Sequence, residues 1–318
     1  MDANLPADPS SAPQPAFESR GGVRALAGMG VLLVAGLLIG TGTARAAWDR
    51  ISHLLTLAGK PEPASANVLS EHEIEGLDAM PPQNQAELLL ERSINHYAGT
   101  NEQIAARVRR WRGQIALNPR LTNLFQTAIN SDDLRVRAAG IEVDIAARNL
   151  EKTVAAIDRL EPAAREGEQG ARANALWDLG LLGNRGVAPE RAAQIILSAI
   201  RDDNENVRYW AVEGLAYLGT DETIQPLLDL FHDDPSPKIR ERAACSLAQS
   251  GMLDERQRRS AIPRLLDFAE DGSLDGQTRE WVYQALRDIT GQSLPHEGAA
   301  WRQWYATQKP QTAERPSQ

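Results

Sequence analysis

The stretch "DDNENVRYWAVEGLAYLG", residues 202–219, returns in altered form as "DDPSPKIRERAACSLAQSG", residues 233–251. Arg208, Ala211, Leu215 and Gly219 fall on Arg240, Ala243, Leu247 and Gly251, while most other letters differ. At about 100° per residue, offsets 0, 3, 7 and 11 lie on one face of a helix, so the shared letters read as the inward side of a repeated amphipathic helix. Small Ala and large Leu admit a second helix, and Gly closes the helix in a backbone conformation that other residues avoid.

The same skeleton occurs at Arg172, Ala175, Leu179 and Gly183. It recurs at Arg279, Val282 and Leu286, with Gly291 one place late. A degraded copy starts at Arg137, where Gly140 follows and Asp144 and Arg148 stand where Leu and Gly are expected. The arginine spacings are 35, 36, 32 and 39 residues, a period that marks a helical solenoid. Before the first copy lies "LTNLFQTAINSDD" (121–133), and between later ones "RAAQIILSAIRDD" (191–203), "TIQPLLDLFHDD" (223–234) and "AIPRLLDFAEDG" (261–272). Each predicts a second helix ending in an Asp-containing turn, where a carboxylate accepts backbone N–H groups and starts the next helix.

The paired helices, the Asp turn followed by Val207-Arg208 or Ile239-Arg240, and Pro226 and Pro263 in the second helices resemble HEAT repeats. They are similar to the bacterial type first associated with phycobilisome lyases, and Ala285–Trp304 resembles an ending common in bacterial HEAT proteins. The resemblance spans roughly residues 120–306. It implies an all-α, right-handed α-solenoid of about five helix pairs with helical caps. It also implies that Asp203 with Arg208, and Asp234 with Arg240, are rungs of a structural hydrogen-bond ladder. Arg172 and Arg279 take the same part. About activity the resemblance is nearly silent, because such solenoids carry many functions.

Outside the repeats, residues 1–24 are rich in Pro, Ala and Ser and read as a disordered tail. Ala25–Ala44 is an uncharged run of twenty residues, the length of a single transmembrane helix across ~30 Å of hydrocarbon. A cleaved signal ending near residue 46 is the rival reading, since Ala44-Arg45-Ala46 has the small-x-small form. The expectation is a single-pass anchor with the solenoid on the exported side; the alternative is secretion after cleavage. Residues 45–69 form a linker, 70–119 an N-terminal helical cap, 120–307 the repeats and a C-terminal cap, and 308–318 a second disordered tail.

The net charge of −9 argues against nucleic acid as a partner, which needs a basic footprint. A lone cysteine, Cys245, excludes an intramolecular disulfide or CxxC pair and reads as a small core residue. The five histidines form no HxxxH or HExxH pair, and no GxSxG, GxxxxGK[ST] or GxGxxG occurs. No catalytic, metal-binding or cofactor-binding residue is therefore assigned, and no cofactor is expected.

Two surfaces stand out as candidates. Arg107, Arg109, Arg110 and Arg112, interleaved with Trp111, suit anionic lipid headgroups, or else a solvated face whose arginines pair with neighbouring acids. For a protein partner, Trp210 and Trp281 sit two places after their repeat arginines, away from the Ala/Leu seam, and Tyr217 shares the side of Trp210. These rings either pack between repeats or form an interface ridge. Asp229 and Asp267 occupy matching places on the second helices, where an acidic groove would prefer a basic segment. The function expected is a membrane-tethered, non-catalytic scaffold for an unidentified protein partner. A lyase-like modifying subunit acting on a chromophore or protein, and an organiser of lipid surfaces, are the alternatives.

Overall fold

The computed structural model describes residues 67–308. The tail, the uncharged run Ala25–Ala44 and most of the linker lie outside the described residues, as does the tail from residue 309. Among the described residues, no helix is long and apolar enough to cross a membrane.

The chain from Val68 onward is one compact unit built of helices. Three precede the repeats: α1 (Glu71–Leu77), α2 (Pro82–Ile94) and α3 (Thr100–Trp111), followed by α4 (Pro119–Ile129). Ser70 and Glu73 form a reciprocal capping box at α1, and proline opens both α2 and α4, where its missing N–H would have had no partner. Ala86, Leu89 and Leu90 are fully buried, as their helical spacing predicts.

Five helix pairs then follow. They are α5 (Leu134–Ala147) with α6 (Val154–Glu166), α7 (Gln169–Asn184) with α8 (Pro189–Leu197), and α9 (Glu205–Leu218) with α10 (Ile224–Asp233). Next come α11 (Pro237–Ala248) with α12 (Glu255–Ser260) and α13 (Ile262–Glu270), then α14 (Gly276–Thr290) with α15 (Gly298–Thr307). The result is an all-α solenoid of repeated helix pairs, and Ala175, Leu179, Ala211, Leu215, Ala243, Leu247, Val282 and Leu286 of the skeleton are all buried. The Asp turns also form as read: Asp202, Asp234 and Asp271 each accept the backbone N–H two residues on.

Three details differ from the expectation. The first helices were read as amphipathic, yet α7 is buried without a break from Ala175 to Gly183 and α9 from Ala211 to Leu218. The two are enclosed by neighbours on every side. Their backbones touch, since a Cβ on Gly180 would lie 2.5 Å from the Gly214 carbonyl oxygen. Gly183 is not a helix end: it lies inside α7 against Leu218, and the chain turns at Gly186, whose φ is +81°. Gly219 and Gly291, by contrast, end their helices with φ of +65° and +70°.

The third detail is the degraded copy. Helix α5 runs without interruption through Gly140 and Asp144. Asp144 is 0% exposed; its Oδ2 accepts from Arg148 Nε at 2.9 Å and from Trp177 Nε1 at 2.9 Å. Arg148 also lies 3.6 Å from Asp178 of α7. A buried charge cluster thus replaces the Leu–Gly seam between α5 and α7. Such a cluster survives only because donors take over from water.

Candidate partner-binding face

The second helices α6, α8, α10, α13 and α15 bury one side and expose the other. Ion pairs staple several of their junctions. Arg191 of α8 bridges Asp158 and Glu161 of α6, with 2.7 Å to Glu161. Arg302 of α15 bridges Asp267 and Glu270 of α13 at 2.9 and 2.6 Å. His232 of α10 reaches Asp271, beyond α13, at 2.9 Å. Burial works against the His232 cation, yet hydrogen bonds to Asp233 and Asp271 outweigh it and raise its pKa above the ordinary value.

The α8/α10 junction is built differently. Among the described residues no ion pair joins these two helices. A cleft of about 440 Å³ opens there, lined by Asp202, Asp203, Asp229, Asp233 and Asp234 together with Ile200, Leu230, Arg201 and Arg208. Two of the five carboxylates are engaged by the chain's own arginines: Asp202 by Arg172, and Asp234 by both arms of Arg208 at 2.8 and 3.1 Å. Asp229 accepts from Gln225 and Asp233 pairs with His232 at 2.5 Å, while Asp203 offers its backbone oxygen to Arg208 and its carboxylate has no cation among the described residues. Arg201 lines the same cleft, and among the described residues no carboxylate approaches it within ion-pair distance.

Asp229 and Asp267 occupy equivalent positions, and both are exposed. Their surroundings diverge. Asp267 is held by Arg302 and Arg264, whose hydrogen bonds keep its carboxyl below the usual range, whereas Asp229 has no cationic partner among the described residues. The acidic groove read from the sequence is therefore open at α8/α10 and closed by arginine at α13/α15.

The ladder residues form rungs in a different register from that expected. Arg208 and Arg240 each donate to backbone oxygens of their own turn, Asp202 and Asp203 for the first, Asp234 and Pro235 for the second. Their carboxylate partners lie one repeat ahead: Arg172 to Asp202, Arg208 to Asp234, and Arg240 to Asp275 at 2.9 Å. The side-chain pairs Asp203–Arg208 and Asp234–Arg240 are thus corrected. Each arginine sits one helical turn inside its helix and projects forward, so it joins successive repeats. Arg279 donates only to the oxygens of Asp271 and Leu274.

The aromatic ridge is also corrected. Tyr217 is 3% and Trp281 8% exposed, and only Trp210 is half-buried. Trp177, which the repeat skeleton does not mark, draws Tyr217 and Trp210 inward: its ring packs 4.7 Å from Tyr217, 6.0 Å from Trp210 and 6.5 Å from Phe125. These edge-to-face contacts make the rings a core between repeats. At the C-terminal end Trp301 is fully buried and donates to the Pro295 oxygen, as a cap requires.

The arginine run is largely neutralised. Arg107 is buried and paired with Asp78 at 3.2 Å, Arg110 lies 3.8 Å from the same carboxylate, and Arg112 meets Glu151 at 3.0 Å. Arg109 is exposed and has no carboxylate partner among the described residues, and Arg110 stays 70% exposed beside its own. Cys245 is half-buried rather than core, and burial pushes its thiol up to about 12. Among the described residues, no three His, Cys, Asp or Glu side chains gather to hold a metal ion.

The HEAT-repeat family matches residues 157–248, from α6 to the end of α11. The fold is accordingly of the HEAT/armadillo repeat type. No curated protein matches the chain. Among solved structures, an engineered protein of a structural genomics consortium is 14% identical, covering 69% of this chain and 95% of its own at a TM-score of 0.32. A designed armadillo repeat protein in complex with the peptide (KR)4 is 17% identical, covering 70% and 100% at a TM-score of 0.32.

Proposed function

We propose that this protein is a non-catalytic helical-repeat scaffold that takes a Lys- or Arg-containing segment of a partner protein into the α8/α10 cleft. The observation that carries the reading is internal to the fold. At two other junctions of the second-helix layer an arginine from the next helix sits between two carboxylates, as Arg191 and Arg302 do. At α8/α10 the carboxylates of Asp203, Asp229 and Asp233 face a cavity that Arg201 and Arg208 also line, but among the described residues neither arginine lies within ion-pair distance of these three. A guanidinium or ammonium from outside would complete the same arrangement, with Ile200 and Leu230 beneath its alkyl stem. The membrane attachment suggested by the run Ala25–Ala44 belongs to the same proposal, with the solenoid held on the exported side of the envelope.

Binding of fluorescent Arg-rich, Lys-rich and Glu-rich peptides by anisotropy tests the cleft. The two basic peptides should bind with a salt-dependent affinity that Asp229→Asn with Asp233→Asn lowers by about 10-fold, the size of loss for two partly exposed charge contacts. Equal affinity of the double variant and the wild type would reject the cleft as the docking site. Carbonate washing of membranes tests the attachment: release of the full-length chain would reject an anchor.

A further inference from the structure

We propose that Arg137 is a strap that locks the four helix pairs from α5 to α13 into one rigid block, so that the repeats enclosing the cleft cannot flex independently. Arg172, Arg208 and Arg240 reach one repeat ahead, but Arg137 reaches three. Its Nη1 donates to the Gly251 oxygen and its Nη2 to the Gln249 oxygen at 2.7 Å, in the turn that follows α11, while its Nε donates to Ser131 in its own turn. The side chain is 4% exposed and no carboxylate among the described residues lies within ion-pair distance, so three backbone oxygens supply the solvation that its charge lost on burial.

The receiving turn is clamped from its other side as well. Met252 donates its backbone N–H to the Ala216 oxygen of α9 at 2.8 Å, and a Cβ on Gly251, whose φ is +72°, would lie 2.3 Å from that same oxygen. Arg258 takes up further oxygens at the end of α11, those of Leu247 and Ser250 at 3.0 and 2.9 Å. The turn at 249–252 therefore sits between α5 and α9 with its oxygens divided between two arginines. An ordinary solenoid contacts only its neighbouring repeats and bends by small increments along its length. Here a buried charged group couples the first pair to the fourth, and opening the spring at any pair between them requires that Arg137 leave its oxygens.

Native-state hydrogen exchange of the full-length chain tests the strap without any partner. In the wild type, the amides of Met252 and of Ile141 in α5 should exchange through one shared opening, with the same dependence on low denaturant. Arg137→Gln should speed exchange at Met252 by about 10- to 100-fold, the range expected for hydrogen bonds to a charged group, and uncouple it from Ile141. Arg137→Lys, which keeps the charge with fewer donors, should fall between. Separate openings of Met252 and Ile141 in the wild type would overturn the proposal, and this measurement stands even if the variants fail to fold.

Discussion

Asp178 makes the protein's stability depend on pH in a direction opposite to that of a salt-bridged carboxylate. Burial between α5 and α7 is the main reason its carboxyl is pushed up to about 7 from an ordinary 3.8, with Arg148 opposing the shift and the charge of Asp144 adding to it. Geometry agrees, since one guanidinium serves two enclosed carboxylates and one oxygen of each, Asp144 Oδ1 and Asp178 Oδ1, has no donor. Because the folded state binds this proton more tightly than the unfolded chain does, stability falls as pH rises from the unfolded value toward about 7 and then levels. At about 1.4 kcal/mol per tenfold change in proton affinity, the full loss is roughly 4 kcal/mol, of which roughly 2.5 kcal/mol accrues between about pH 5 and pH 8. Asp178→Asn keeps the shape and cannot ionise. Urea unfolding followed by circular dichroism should show the variant gaining on the wild type by roughly 2–3 kcal/mol between about pH 5 and pH 8, or about 5–10 °C in Tm. A difference between the two proteins that stays constant across that range would refute the reasoning.

Arg208→Ala would leave Asp234, buried between repeats, without its two-armed partner; a loss of about 3–5 kcal/mol in denaturant unfolding is expected, and Arg208→Lys should recover only part of it. Gly180→Ala forces α7 from α9, because the new methyl meets backbone at 2.5 Å, and should lower Tm clearly, while Gly76→Ala, with nothing within 4 Å, should not. The raised pKa of His232 means that its ion pair with Asp271 is complete below the ordinary histidine value and lost as pH rises through the raised one. The His232 proton shifts followed by NMR should titrate above an ordinary histidine, and His232→Gln should remove the accompanying changes at the end of α13.

Much of the architecture was legible in the residues because the repeat skeleton is local. Arg208, Ala211 and Leu215 share one helix, and helical spacing alone puts them on one face. The aromatic residues show where that reasoning ends. Trp210, Tyr217 and Trp281 do lie off the Ala/Leu seam, but a helix has neighbours on more than one side, and Trp177 from the preceding repeat covers two of these rings. The signal that could have located that inner core was the departure from the pattern: Asp144 in a leucine place implied a buried donor nearby, and Trp177 supplies it. Arg107 failed as a surface cation for a related reason, since Asp78 lies far back in the chain and only packing brings it to 3.2 Å.

By itself the sequence determined the helix pairs, their Asp turns and the buried Ala/Leu seam, all set by periodicity and capping over a few residues. It also named Asp229 and Asp267 as equivalent. Only the tertiary structure decided that Arg302 closes one of these sites while the other stays open, that Arg172, Arg208 and Arg240 reach forward to the next repeat, and that Arg137 reaches three. The physical reason is the same in each case. An arginine side chain can choose among several carboxylates and carbonyl oxygens within its reach, and which of them lie there is fixed by how successive helices pack, not by spacing along the chain.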